Sequence, residues 1–356
     1  MNSSELGFQR FNKSIDPIIW KDSLEYEQQS SILKQYDSVF ITGSSGMLGG
    51  YLAEFLSLLS FNSSIPLTIL VQSRQETKNL QRISQIPNLK VKIINELEMY
   101  LEIDKYESPL IIHTASPASR SATTFNLQGL IHANLEMTMN IVNKLRNKKG
   151  SFIYFSSGEI YGPQPQYPTS ENMFSGFNHL NPTFAYAEAK KAGEFIVSNF
   201  SNDGNYHFLI PRIFHTFGPG LSIQDPRIFG TVMKSLVNKE PIALKTNGST
   251  TRNFLYNSDL VGALLLTLNI GSDLVFNLAG ATEISILDFC QIAIKSIDAS
   301  VDLKIGSSTA DFSPIARGSA DISKLESLGW ESRVKLEDGL KRTFDSIVWR
   351  MQNGLS

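Results

Sequence analysis

The sequence predicts an α/β fold: a doubly wound parallel sheet with a smaller carboxyl-terminal lobe that binds substrate. Three observations predict it. Short apolar runs alternate with amphipathic segments from Ser38 to Pro211. Glycines stand at 43, 46 and 49, between the first apolar run and the first amphipathic segment. From about Phe174 the rhythm breaks into Pro-, Gly- and Asn-rich stretches such as Gly176–Pro182 and Gly218–Pro226. Strands that alternate with helices imply a parallel sheet covered on both faces, with ligands at its carboxyl edge.

The elements follow in order. Residues 1–36 form an extension whose Phe8, Phe11, Ile18, Ile19, Trp20, Leu24, Ile32 and Leu33 are too apolar to stay in water, so it is expected to cover the domain surface. Within it, Asp22-Ser23-Leu24-Glu25 reads as the capped start of a helix running to Lys34. Ser38–Thr42 is a strand, and Met47–Leu59 is a helix with Leu48, Leu52, Phe55, Leu56 and Leu59 on one face. Leu67–Val71, Val91–Ile94, Leu110–His113, Phe152–Phe155 and His207–Pro211 are further strands, and Ile131–Leu145 and Tyr186–Asn199 are helices. This predicts a dinucleotide-binding domain over 37–173, continued by 183–217 and 250–280, and a lobe made mainly of 174–182, 218–249 and 281–356.

Composition excludes other classes. Of the 356 residues, 42% are hydrophobic and 19% charged, too apolar for a disordered chain. The 32 basic and 34 acidic residues leave a net charge of −2, so no global field recruits nucleic acid or an anionic membrane. Cys290 stands alone and cannot form an internal disulfide, and the five histidines show no metal-ligand spacing, so no metal is expected. No apolar run reaches the ~18 residues that would span a bilayer. The amino terminus lacks a basic segment followed by an apolar one, so a cytoplasmic protein is expected.

The glycine loop, Thr42-Gly43-Ser44-Ser45-Gly46-Met47-Leu48-Gly49-Gly50, sits where a dinucleotide needs it. Gly43 allows a tight turn, Gly46 lets backbone approach a pyrophosphate, and Gly49 permits close helix packing, while the helix amino terminus faces negative charge. Ser45, Met47 and Leu48 belong to the same cradle. The second strand ends Leu70-Val71-Gln72-Ser73-Arg74 without a carboxylate for ribose hydroxyls, so Ser73 and Arg74 are candidates to hold a 2′-phosphate, which places NADP ahead of NAD.

The strand Phe152–Phe155 empties into Ser156-Ser157-Gly158-Glu159-Ile160-Tyr161-Gly162. Further on, Tyr186 and Lys190 are four residues apart on a helix and share a face. An ammonium beside a phenol favours phenolate, which is what proton transfer near neutral pH requires. Ser157 can hydrogen-bond the same substrate oxygen. His113, His132, His179 and His207 read as structural, Phe217 and Phe229 as lobe core, and Asp259 as a helix amino-terminal cap.

These residues, with the TGxxGxxG spacing, resemble the extended short-chain dehydrogenases/reductases, and within them the nucleotide-sugar epimerase/dehydratase family, over about 38–345. The resemblance implies a Rossmann-type fold, hydride exchange at a sugar C4, Tyr186 as acid/base, Lys190 tuning it, and Ser157 positioning the substrate hydroxyl. It implies that Thr114, Ala115 and Ser116, within Ile111–Ser119, and Asn134, with Tyr186 and Lys190, lie at the cofactor. It makes Ser157, His215, Arg252 and Arg317 substrate contacts, and pairs two chains through Ile131–Leu145 and Tyr186–Asn199 as a homodimer. Three positions depart from the family pattern: His215 where asparagine is usual, Gly158 where 4,6-dehydratases carry aspartate, and Thr183 where decarboxylases carry arginine. Glu159, the loop through Pro117-Ala118-Ser119 and the segment Thr251–Leu260 are most similar to UDP-glucuronate decarboxylases, which makes Glu159 a second acid/base candidate. An NADP-dependent reductase of a nucleotide-linked 4-keto-6-deoxy sugar stays compatible. A non-catalytic NADP sensor is disfavoured by the intact Ser157, Tyr186 and Lys190.

Overall fold

The computed structural model describes residues 14–86, 89–117, 126–164, 166–174, 176–200, 206–308 and 317–355. Phe8, Phe11, Ala118 and Ser119 lie outside them, as does the side chain of Arg317. In chain order the elements are α1 (Pro17–Leu24), β1 (Ser38–Thr42), α2 (Met47–Asn62), β2 (Thr68–Gln72), α3 (Lys78–Ser84), β3 (Val91–Ile94), α4 (Glu96–Ile103), β4 (Pro109–His113), α5 (Leu127–Ile131) and α6 (Met137–Leu145). After these come β5 (Ser151–Tyr154), β6 (Ser156–Ser157), α7 (Ala185–Phe200), β7 (His207–Ile213), β8 (His215–Phe217), α8 (Ile228–Asn238), β9 (Ile242–Ala243), β10 (Thr251–Tyr256), α9 (Asn257–Ile270) and β11 (Leu274–Leu278). The chain ends with β12 (Glu283–Ser285), α10 (Ile286–Ile297), β13 (Leu303–Lys304), β14 (Arg317–Gly318), α11 (Ser323–Ser327) and α12 (Leu336–Gln352).

The main sheet runs β11-β7-β5-β4-β1-β2-β3, with β6 also paired to β7. Each of these pairings is parallel. Central strands are apolar throughout because both faces are covered. Alternate residues of β1 enter opposite cores: Val39 and Ile41 pack with α2 and α9, and Phe40 with α6 and α7. Ile69 and Val71 against Leu70, and Leu110 and Ile112 against Ile111, divide the same way. The strand order reverses between β1 and β4, the switch point where such sheets open a crevice. A second sheet, β12-β10-β14 with β8 on β10, lies over a third core where Phe217 stacks on Phe229 at 5.5 Å and Phe254 meets Phe289 at 4.5 Å. Phe217 and Phe229 are therefore core side chains, as the sequence suggests.

Three local expectations are corrected. The extension's helix runs Pro17–Leu24, not from Asp22: Asp16 caps it by accepting from Ile18 N at 3.0 Å, and Pro17 takes the first turn. Asp22 is fully buried inside that helix, and a 3-10 segment, Glu27–Gln35, follows. The helix expected over Ile131–Leu145 is interrupted by a π-turn at His132–Glu136. There Asn134 Nδ2 takes the Leu130 carbonyl at 2.9 Å and His113 takes that of Ala133 at 2.8 Å, so side chains compete with the helical ladder. Asp259 does not cap α9; it lies in the first turn, and its carboxylate accepts from Tyr26, Ser332 and the backbone of Arg333 and Val334 at 2.6–3.2 Å.

The extension is bound by buried charge as well as by Ile19 and Trp20. Asp16 accepts from Ser346 at 2.6 Å and Arg350 at 3.0 Å, while Asp22 accepts from Tyr51, Tyr256 and Arg342 at 2.7–2.9 Å. It thus joins α2 to α12 across the outside of the sheet. Among the described residues no helix is long and apolar enough to cross a membrane, and no cluster of His, Cys, Asp and Glu could hold a metal ion.

Candidate active site

β1 ends where Gly43 turns the chain with φ +65°, and Gly46 begins α2. A Cβ on Gly43 would stand 2.7 Å from Ala115 Cα, and one on Gly49 2.5 Å from Gly43 O. Only glycine lets the loop close onto the end of β4 and leave its backbone N–H groups at a helix amino terminus, an arrangement that suits a pyrophosphate. Ser45 and Gly46 are exposed at the mouth of this cradle, with Met47 and Leu48 half-buried behind them. A hydrogen-bonded chain braces it. His113 Nε2 faces the Ala133 carbonyl and must donate, so Nδ1 accepts from Thr42 Oγ1 at 2.7 Å, and Thr42 Oγ1 in turn accepts from Ala115 N at 3.2 Å. Burial and the charge of Lys190 push the His113 pKa down to about 3, so it stays neutral. Thr114 Oγ1 donates to Thr42 O at 2.6 Å, and Asn134 Nδ2 reaches Ser116 Oγ at 3.1 Å. The cofactor candidates after β4 thus meet the glycine loop and the π-turn.

At the end of β2, Ser73 Oγ donates to Gln75 O at 2.6 Å and accepts from Gln75 N at 3.3 Å, so its hydroxyl is engaged within its own loop. Arg74 is exposed. Gln72, which sequence reasoning passed over except as a missing carboxylate, accepts from Gly43 N through its side chain at 3.3 Å and from Ser44 through its carbonyl at 2.8 Å.

The candidate reaction centre lies where α7 packs on β6 and on the turn Gly158–Tyr161. Ser157 Oγ accepts from Glu159 N at 3.2 Å, which leaves its proton available to a substrate oxygen. Lys190 is buried on the face it shares with Tyr186, its Nζ 5.9 Å from the Tyr186 ring and 5.0 Å from the Tyr154 ring. Nζ donates to Phe155 O at 2.6 Å. Burial pushes the Lys190 pKa down to about 7, against the attraction of Glu194. Tyr154 locks α7 in place: its hydroxyl donates to Asn134 Oδ1 at 2.9 Å, and a Cβ on Gly193 would stand 2.0 Å from it.

In the second sheet His215 pairs with Phe254 and Arg252 with Gly318, and β14 also sets Arg317 opposite Thr251. Arg252 is buried and donates to Thr251 O at 2.7 Å. Burial with the charges of Arg252 and Arg227 pushes the His215 pKa down to about 3. Arg227 was not singled out in the sequence. Held by Asp225 at 3.0 Å through Nε, it lies within electrostatic reach of Tyr186 and Glu159, and Asp225-Pro226-Arg227 just before α8 was the signal available.

A doubly wound sheet with a dinucleotide cradle at its switch point and a phenol–ammonium pair on an adjacent helix defines the class of short-chain dehydrogenases/reductases. Comparison with known proteins makes the assignment specific. The model of the NAD dependent epimerase/dehydratase family matches residues 39–279, and the chain belongs to that family. UDP-glucuronic acid decarboxylase 2 of Arabidopsis thaliana is 29% identical over 304 residues, 85% of this chain and 66% of the relative. UDP-glucuronic acid decarboxylase 1 of Xenopus tropicalis is 25% identical over 311 residues, 87% of this chain and 72% of the relative. The chain thus spans about two-thirds of the first of these relatives. The same fold is seen in UDP-glucuronic acid 4-epimerase from Bacillus cereus, in complex with UDP-glucuronic acid and NAD (TM-score 0.72, 22% identity, 87% of this chain and 99% of that one). It is also seen in UDP-N-acetylglucosamine 4-epimerase from Methanobrevibacter ruminantium M1 (TM-score 0.73, 21% identity, 88% of this chain and 99% of that one).

Proposed function

We propose that the protein modifies a UDP-linked uronic acid at the sugar C4, as a decarboxylase or 4-epimerase. The observation that carries this reading is the meeting of Ser157, Glu159, Tyr186 and Lys190 beside the glycine cradle, in a chain similar to UDP-glucuronic acid decarboxylases over most of its length. A bound NAD or NADP, cradled by Gly43, Ser45, Gly46, Met47, Leu48 and Gly49, supplies hydride transfer at C4. Tyr186 removes and returns the C4 hydroxyl proton, the Lys190 ammonium stabilises the phenolate, and Ser157 donates to the same oxygen. Glu159 stands on the same turn to move a proton on the C5–C6 side. Arg227, acting on both Tyr186 and Glu159, brings positive charge to a site that carries Thr183 in place of the decarboxylase arginine. The second sheet and its helices form the lobe that holds the nucleotide diphosphate through Arg252, Arg317 and neutral His215.

The test is incubation with UDP-glucuronate and NMR of the products. A UDP-pentose with carbon dioxide, or UDP-galacturonate, supports the reading, and an unchanged substrate overturns it. The end of β2 favours a second reading. With no carboxylate there and Arg74 exposed, NADP is the expected dinucleotide, as in a reductase of a 4-keto-6-deoxy sugar nucleotide. Consumption of such a sugar with NADPH would select that reading. We propose a cytoplasmic homodimer; the dimer is supported by Leu127, Ile131 and Phe195, exposed apolar residues on α5 and α7. A monomer in sedimentation at micromolar concentration would refute the dimer.

A further inference from the structure

Behind the Ser157–Tyr186–Lys190 face lies an ion pair to which the functional reading gives no role. Glu194 follows Lys190 by one helical turn on α7, so both side chains leave the same face of the helix. Its carboxylate accepts from Ser156 Oγ, the neighbour of Ser157, and from Arg212 of β7, through Nε at 3.0 Å and Nη2 at 2.8 Å. Ser156 and Arg212 are paired in register where β6 meets β7. Arg212 also donates to the Tyr161 hydroxyl at 3.0 Å and to Glu171 O at 2.8 Å. Tyr161 ends the turn that carries Glu159, and passes its own proton to Asn277 Oδ1 at 2.6 Å. The Asn277 amide holds Thr169 O and Asp321 O, each at 2.9 Å. The serine turn, the Lys190 helix, β7 and β11 are thus fastened to one carboxylate.

Stability gives little reason for this arrangement. A largely buried ion pair loses most of its Coulomb attraction to desolvation, and apolar residues of similar volume often serve as well. Its placement gives a better reason. Lys190 is buried against the Phe155 carbonyl and two aromatic rings, which hold an ammonium far less firmly than a full negative charge does. The other titratable groups facing it are Tyr186 on α7, Tyr154 on β5 and neutral His113 on β4; those facing Glu194 are Arg212 on β7, Tyr161 in the serine turn and Tyr154 on β5.

We propose that Glu194, held in place by Arg212, is a positioning residue for the reaction: it is the fixed counter-charge that keeps Lys190 protonated and, through Ser156, the anchor of the strand end that presents Ser157. The proposal rests on the reading that Tyr186 and Lys190 carry the C4 proton transfer. Glu194 touches neither sugar nor dinucleotide in this scheme, so its effect belongs to turnover and not to binding. Without it, Lys190 gives up its proton at lower pH, and the alkaline side of the rate profile moves down.

The experiment is the pH profile of kcat with UDP-glucuronate for the parent, Glu194→Gln and Arg212→Lys, with the Kd for NAD and the KM measured beside it. Glu194→Gln is expected to keep both constants within about twofold. Its loss of kcat should be about fivefold greater near pH 8 than near pH 6, the effect of about one unit in a Lys190 pKa of about 7. Arg212→Lys, which keeps the partner charge, should lower kcat without displacing the profile. A folded Glu194→Gln protein whose profile runs parallel to the parent's overturns the proposal. Should that variant not fold because Arg212 is left unpaired, Glu194→Gln/Arg212→Met removes both charges; a smaller displacement in the same direction is expected, since the cation leaves with the carboxylate, and an undisplaced profile overturns the proposal. Tyr186→Phe separates the two levels: if it turns over normally, the functional reading fails, whereas an inactive Tyr186→Phe with an undisplaced Glu194→Gln profile sinks only the role of Glu194.

Discussion

A Cβ added to Gly158 would stand 2.7 Å from the ring of Phe214. That ring is stacked on Tyr161 at 6.3 Å, so the space where a dehydratase-type sequence sets an aspartate is filled by an aromatic side chain braced from behind. Gly158→Asp is therefore an overpacking substitution, expected to cost about 1–3 kcal/mol. It should lower the melting temperature and yield no 4-keto-6-deoxy product from dTDP-glucose. NMR of the products and a thermal melt check both parts, and an unchanged melting temperature would show that the ring moves aside easily.

Proton transfer by Tyr186 is the core of the functional reading. Tyr186→Phe removes one oxygen from a half-buried helical position. It should reduce turnover by at least about a hundredfold, the usual scale for a lost acid/base, with dinucleotide affinity nearly unchanged. Near-normal turnover of UDP-glucuronate in a well-folded variant would remove Tyr186 from the mechanism.

The sheet and the cradle were legible because their causes are local. Five-residue apolar strands, glycines at 43, 46 and 49, and Tyr186 and Lys190 at helical spacing each carry their geometry in adjacent residues. The elements that were misread depend on distant partners. The extension's helix is the exception: Asp16 accepts from Ile18 N and Pro17 takes the first turn, a local start signal that the reading from Asp22 missed. The π-turn exists because His113 reaches across from β4 to the Ala133 carbonyl. Glu194 was passed over for the same reason: a helical glutamate looks solvated until β6, β7 and the serine turn close around it, whereas Arg227 stays exposed and is marked only by the reach of its charge to Tyr186 and Glu159.

The proposed preference for NADP rests on Arg74, since the Ser73 hydroxyl is engaged with Gln75. If Arg74 pairs with a 2′-phosphate, Arg74→Ala should weaken NADP binding by about tenfold or more and leave NAD binding unchanged. Titration of both dinucleotides against both proteins measures it. Equal affinities of the parent for NAD and NADP would exclude a 2′-phosphate site at this strand end.

Asp22 gives the extension a pH signature. Burial, only partly offset by Arg342, Tyr256 and Tyr51, raises its pKa from 3.8 to about 6. A carboxyl whose folded pKa is raised binds more protons in the native state between those values, so its contribution to stability falls as pH rises from about 4 to 6. Asp22→Asn removes that titration. The melting temperature of the Asn variant relative to the parent should therefore rise across this window and level off above it. A difference that does not vary with pH would show that Asp22 does not titrate there.

Glu159 separates the outcomes that the family shares. Its backbone N–H is tied to Ser157 Oγ, so the turn that presents the Ser157 hydroxyl also fixes where this carboxylate starts. A decarboxylase must move a proton on the C5–C6 side after C4 has been addressed, whereas a 4-epimerase needs nothing there but must return the C4 proton. Glu159→Gln keeps the shape and removes the exchangeable proton. If the carboxyl works on the C5–C6 side, the variant should form UDP-pentose at least about a hundredfold more slowly, with NAD affinity unchanged. If the enzyme is a 4-epimerase, conversion of UDP-glucuronate to UDP-galacturonate should change by less than about threefold, since Tyr186, Lys190 and Ser157 remain. Time-resolved NMR of the parent and the variant on UDP-glucuronate distinguishes these results. Undiminished pentose formation by Glu159→Gln would remove this carboxylate from the chemistry and turn attention to Arg227, whose charge acts on the same corner of the site.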